Sequence, residues 1–226
     1  MLTPFTITQP PNTNPPENPP NGPALIITGV IDGPLPRGLP KAVELHVTAN
    51  IPDLSIYGVG FANNGKGSDG VEFTFPSQPA TAGSFLTIAY EEIEFEAYFD
   101  KKPDFVTGKL NINGDDAIEL FYDDQVIDVY GEVNVAGGEW NYLDGWSYRR
   151  NASTPSAVFN TSDWTLSGIN AVDNCVSNSN CSSAFPAQTY THSSIPQVSL
   201  CNRSTCSSKV LVTLLLLLLT TILCSC

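Results

Sequence analysis

The stretch AIELFYDDQVIDVY, residues 117–130, decides how the rest of the chain is read. Apolar and polar residues alternate in Ala117–Tyr122 and again in Gln125–Tyr130, and a period of two marks strands with one buried and one wet face. Asp123-Asp124 between the runs is a turn pair, because Asp bonds its own backbone and tolerates a left-handed conformation. Working outward, the same alternation recurs in 42–47 (AVELHV), 70–75 (GVEFTF) and 84–89 (SFLTIA). Asn63-Asn64-Gly65, Ser68-Asp69-Gly70 and Asn113-Gly114-Asp115-Asp116 lie between these runs as turn formers. A spacing of roughly 10–15 residues predicts an all-β fold, an antiparallel β-sandwich. Only 90–100 (YEEIEFEAYFD) admits a helix, and its apolar residues Ile93, Phe95, Ala97, Tyr98 and Phe99 fit a strand or an irregular connection equally well.

Composition divides the 226 residues into four segments. Residues 1–23 hold eight prolines and a single charge, Glu17, so they cannot bury enough apolar surface to offset the entropy of ordering and read as a disordered linker. They contain no basic and apolar leader of secretory type, so either the chain enters no secretory route or its true start lies upstream of Met1. Residues 24–172 hold 19 of the 22 aromatic side chains and no cysteine, and form the core domain. Residues 173–209 turn rich in Ser, Thr and Asn, acquire Cys175, Cys181, Cys201 and Cys206, and read as a stalk. Residues 210–226 are a hydrophobic C-terminal anchor or signal. The chain has 23 acidic against 10 basic side chains, a net charge of −13, which argues against nucleic acid as a partner because phosphate binding draws on Lys and Arg. Charged residues are only 15% of the chain, against about 25% in ordinary domains.

Several motifs in order suggest a family. They are LIITGVIDG at 25–33, KAVEL at 41–45, DLSIYG at 53–58, FANNG at 61–65, EFTFP at 72–76, AGSFL at 82–86, NGDDAIEL at 113–120, VIDVYG at 126–131 and LDGWSYR at 143–149. Together they resemble the lamin-tail-domain family, and more closely the branch found in secreted microbial and surface proteins. The resemblance covers about 24–172. It implies an immunoglobulin-like sandwich used for recognition or adhesion, and it implies no reaction.

The search for chemistry is mostly negative. His46 lies in a strand and His192 in the Ser/Thr-rich segment, and nothing in the sequence puts them in one site, which argues against a histidine triad or a multi-histidine zinc site. Asp115, Asp116, Glu119, Asp123, Asp124 and Asp128, with Glu91, Glu92, Glu94 and Glu96, could offer oxygen ligands to calcium, yet no EF-hand or nonapeptide pattern accompanies them. The bland reading is that Gly114-Asp115-Asp116 and Asp123-Asp124 are turns. A glycosidase pair would depend on a carboxyl separation that sequence does not give. No catalytic, metal or cofactor residue is therefore assigned. Among the aromatics, Trp146 and Tyr148 alternate as core residues should, whereas Trp140, flanked by Gly137-Gly138-Glu139, is the one expected on a loop.

Placement is better marked. Asn151, Asn160, Asn180 and Asn202 each open an N-glycosylation acceptor pattern. Cys175, Cys181, Cys201 and Cys206 are disulfide candidates, with three pairings open. The apolar run VLVTLLLLLLTTILC at 210–224 is shorter than the ~20 residues a spanning helix needs, and suits a glycosylphosphatidylinositol signal or a tail anchor. The expectation is a non-enzymatic recognition or adhesion module, membrane-associated on the extracellular side, holding an unknown protein or glycan ligand. The alternatives are the accessory domain of a truncated secreted hydrolase or nuclease, and a tail-anchored scaffold facing the cytosol.

Overall fold

The computed structural model describes residues 22–192. Most of the 1–23 linker, and everything from Ser193 onward including Cys201, Asn202, Cys206 and the apolar run from Val210, lie outside the described residues. Among the described residues, ten strands form two sheets facing each other across one core, the expected all-β sandwich. The six-stranded sheet has the order β10-β9-β1-β2-β5-β6 and is built on the long hairpin of β1 (Leu25–Leu35) and β2 (Leu39–Val47). Its flanks are β5 (Phe85–Ala89), β6 (Phe105–Val106), β9 (Gly145–Arg149) and β10 (Trp164–Leu166). The four-stranded sheet runs β4-β3-β7-β8, from β4 (Phe73–Thr74) and β3 (Tyr57–Ala62) to β7 (Ala117–Tyr122) and β8 (Gln125–Tyr130).

Two bulges set which residues face inward. The β1–β2 register shifts between Ile27 and Gly29, so Leu25, Ile27 and Val30 reach the core between the sheets while Ile26 and Ile31 face the other side. A second shift, in the β7–β8 pairing, leaves Ile127 without a partner between Val126 and Asp128. Opposite strands supply Val43, Leu45, Val59, Phe61, Ile118 and Leu120 to the same core. Asp123 and Asp124 join β7 to β8 with φ of 48° and 58°, the positive pair that a tight two-residue hairpin requires.

The structure departs from the sequence expectation in three places. First, Ile93–Phe99 is a helix, α1, with Phe95 and Tyr98 as its buried stripe and a left-handed Asp100 at its end. Spacing of three residues between two large apolar side chains favours the helix once a surface exists to receive them. Second, the connection through α1 makes β5 and β6 parallel, so the larger sheet is mixed rather than wholly antiparallel. Third, β2 has no wet face: Ala42, Glu44 and His46 are buried along with Val43, Leu45 and Val47. The reason is a second apolar cluster on the outer side of the sheet, where α1 and residues 173–192 pack onto Ile26, Ile31, Ala42 and Tyr148. Residues 173–192, read as the start of a stalk, are a strap: Phe185 and Tyr190 are buried, and Gly29 is the site that admits Phe185. A Cβ there would stand 2.5 Å from Phe185 Cζ and 2.8 Å from Tyr148, so only glycine fits under the phenyl ring.

The sheets are also bound by charge. Asp128 on β8 and Arg149 on β9 are both buried, with one guanidinium nitrogen donating to both carboxylate oxygens at 2.7 and 2.6 Å. The rest of each group is satisfied by backbone: Asp128 accepts from Ile27 N at 2.9 Å and Ser156 N at 3.0 Å, and Arg149 donates to Ile27 O and Thr154 O. The bulge at Ile27 thus finds partners for its own amide in the ion pair. Arg149 also stacks over Trp164, 4.5 Å from the ring centre.

Candidate functional site

Three of the four acceptor asparagines are described, and all three are exposed. Asn151 Oδ1 accepts from Thr191 N at 2.9 Å. Asn160 caps the 3-10 turn Thr161–Asp163, its Oδ1 accepting from Ser162 N and Ser162 Oγ at 3.1 and 2.9 Å. Asn180 donates to Ser177 Oγ at 3.1 Å within the loop closed by a Cys175–Cys181 disulfide. Asn178, in the same loop, accepts from Phe185 N at 2.7 Å and donates to Phe185 O at 3.0 Å, so the disulfide loop holds the buried phenylalanine from its backbone.

The remaining sequence candidates mostly resolve into architecture. Asp116 is buried and accepts from Asn64 N and Asn113 N, fastening two turns. Glu91 accepts from Glu94 N at the start of α1, and Glu92 pairs with Lys102 at the surface. The strap brings His46 and His192 onto the same tyrosine, Tyr190, with ring centres 5.5 and 6.5 Å from it. Burial, and secondarily the neighbouring His192, push the His46 imidazole down. Trp140 does lie on a loop, yet it is buried against Tyr130 and Phe159 and offers no exposed platform. Tyr148 packs in the outer cluster under the strap rather than between the sheets, and Trp146 is half-buried beside it, donating to Ser183 O. Among the described residues no group of three or more His, Cys, Asp and Glu is placed to hold a metal ion. Among them no helix is long and apolar enough to cross a membrane.

Two carboxylates that the alternation assigns to wet faces are buried. Glu44 accepts from Thr28 Oγ1 at 2.9 Å, Tyr148 Oη at 2.7 Å and Gln188 N at 2.8 Å, while Tyr148 Oη in turn accepts from Thr189 N and Tyr190 N. This carboxylate is the polar anchor of the strap, and burial pushes it above the usual range despite three donors. Glu119 is different. It sits on the outer side of the smaller sheet between Gly60 and Val129, is 4% exposed, and its Oε2 has no hydrogen-bond partner. Burial pushes it up, opposed only by the Ser68 hydroxyl.

Glu119 also lines a groove of about 430 Å³ along β8. Val126 and Val129 form its floor; segment 131–135 and segment 157–159 form its walls. The bulge at Ile127 is what turns both valines to this outer face, and Phe159 is fixed in the wall by its contact with Tyr130 and Trp140. Val135 and Val158 stand exposed at the rim, the latter 75% accessible. A second cleft, of about 240 Å³, lies at Ile51, Ile56, Tyr57 and Tyr122, where Tyr57 Oη accepts from Ala24 N. The groove leaves little trace in the sequence because its walls come from loops with no periodic pattern, and its one signal is an acidic residue in the middle of an otherwise apolar strand.

Comparison with models of known protein families, with curated proteins and with solved structures gives no match to this chain.

Proposed function

We propose that the chain is a non-enzymatic recognition module of lamin-tail type, displayed on the outer side of a cell through its C-terminal segment 210–226 and holding a protein or glycan partner. The observation that carries this reading is the Cys175–Cys181 disulfide, since such bonds persist in oxidising compartments and are rare in the cytosol. The exposed Asn151, Asn160 and Asn180 support the same placement. The surface charge supports recognition. Between Gly22 and His192 there are 22 acidic and 8 basic side chains, a difference of −14, and two of the cations, Lys41 and Arg149, are buried in ion pairs. What remains facing solvent is an acidic field that selects basic partners and speeds their approach.

The test is expression of the tagged full-length chain in its native cell, followed by phosphatidylinositol-specific phospholipase on intact cells and glycosidase treatment of the recovered protein. The expected result is release into the medium, a mobility shift on deglycosylation, and no free thiol at Cys175 or Cys181. Retention inside the cell with Asn160 unmodified and reduced thiols overturns the reading.

A further inference from the structure

We infer that the groove along β8 is a docking site for a lysine side chain flanked by aliphatic residues in an extended segment of a protein partner, with Glu119 as the counter-ion at its base. This rests on the recognition reading above and adds the partner's chemistry to it.

A buried carboxylate normally takes two or more donors or a cation, and leaving one oxygen bare carries the full desolvation cost. Elsewhere this protein meets that requirement: Glu44 has three donors, Asp128 has Arg149 and two amides, and Asp32 has Lys41 at 2.7 Å. Two carboxylates fall short of it: Glu91 leaves Oε1 bare but takes the Glu94 amide on Oε2, whereas Glu119 leaves Oε2 bare and has no ion pair among the described residues. Glu119 also lines the groove of about 430 Å³, together with Glu132. The walls of that cavity select further. Val126, Val129, Val133 and Val158 match the methylene stem of a lysine and its aliphatic neighbours, and Glu132 at the rim adds a second negative charge. A ligand with an ammonium at the tip of an apolar stem satisfies both observations, whereas a neutral aliphatic ligand leaves Glu119 unpaired. Glycans are disfavoured here, because the aromatic residue among those lining the groove, Phe159, is half-buried and packed on Tyr130 and Trp140 rather than presented as a flat platform.

The experiment titrates the full-length chain with the peptide acetyl-Val-Lys-Val-amide and, separately, with its norleucine counterpart, which keeps the stem and lacks the ammonium. The lysine peptide is expected to bind at least roughly tenfold more tightly, the scale of one charge-assisted contact in a desolvated site. Methyl resonances of Val126, Val129, Val133 and Val158 are expected to shift. Glu119→Gln is expected to abolish the preference for lysine while leaving the melting temperature equal or higher. Equal binding of the two peptides, binding of neither, or shifts confined to residues away from β8 would each overturn the inference, and the wild-type resonance map decides even if the variant fails to fold. A chain displayed on cells but indifferent to the lysine peptide loses this inference and keeps the recognition reading. Groove binding by a chain found only in the cytosol does the reverse for placement.

Discussion

Arg149 shows how much one side chain can be asked to do. It neutralises Asp128, closes the open backbone at Ile27 and stacks on Trp164, so it fastens β8 to β9 and both to β1. Removing one partner leaves a buried charge uncompensated, and Asp128→Asn is expected to lower the unfolding free energy by about 3–5 kcal/mol in urea denaturation. Replacing both, with Asp128→Leu and Arg149→Met, removes the stranded charge but still leaves the Ile27 amide unpartnered. Its cost is expected to fall below the sum of the two single substitutions by more than about 1 kcal/mol; strict additivity would show that the pair does not act as a unit. Gly29 poses the opposite problem, of space. Gly29→Ala drives a methyl into Phe185 and Tyr148 and is expected to cost about 1–3 kcal/mol. Adding Phe185→Leu is expected to recover part of that loss in a thermal melt, and no recovery would place the strain elsewhere.

Elements differ in how far their own sequence determines them. The hairpin β7–β8 is legible because both strands alternate and the turn between them is two residues long. Its turn is also improvable: Asp124 holds φ of 58°, and Asp124→Gly is expected to raise stability by about 0.5–1 kcal/mol, measured as a shift in denaturation midpoint at unchanged slope. The strands of 42–47 and 84–89 were legible too, but their exposure was not. Glu44 and His46 are polar residues at wet-face positions, and alternation has no term for a strap that arrives from 144 residues later in the chain. Helix α1 stayed ambiguous for the same reason, since Phe95 and Tyr98 make a stripe only when a sheet face lies beneath them. The acceptor asparagines and the cysteines were readable as local patterns, but the choice of Cys175–Cys181 among three pairings was not. Glu119 was not, because what distinguishes it is the missing partner, which is a property of the folded surroundings.

At the scale of the whole molecule, buried acids govern the response to pH. Burial, against the pull of Lys41, raises Asp32 from 3.8 to about 6, and burial likewise raises Glu44, Asp116, Glu119 and Asp128. Between pH 3.8 and 6 folded Asp32 holds a proton that the unfolded chain has released, so its effect is to lower stability as pH rises through that window, with the penalty complete above it. Exposed Asp53 and Glu94 are shifted the other way by hydrogen bonds, but they lie at the surface, where such effects are screened. The melting temperature is therefore expected to be higher at pH 5 than at pH 7.5, by roughly 3–6 °C, and an equal or lower value at pH 5 would contradict the account. The strap has a consequence for synthesis as well. Ribosomes deliver the sheet and α1 before the strap, so the part of the outer cluster around Tyr148 that α1 does not cover stays bare until Phe185 and Tyr190 emerge. Any message cut short before codon 185 is thus expected to yield a sandwich whose outer face keeps an uncovered apolar patch around Tyr148.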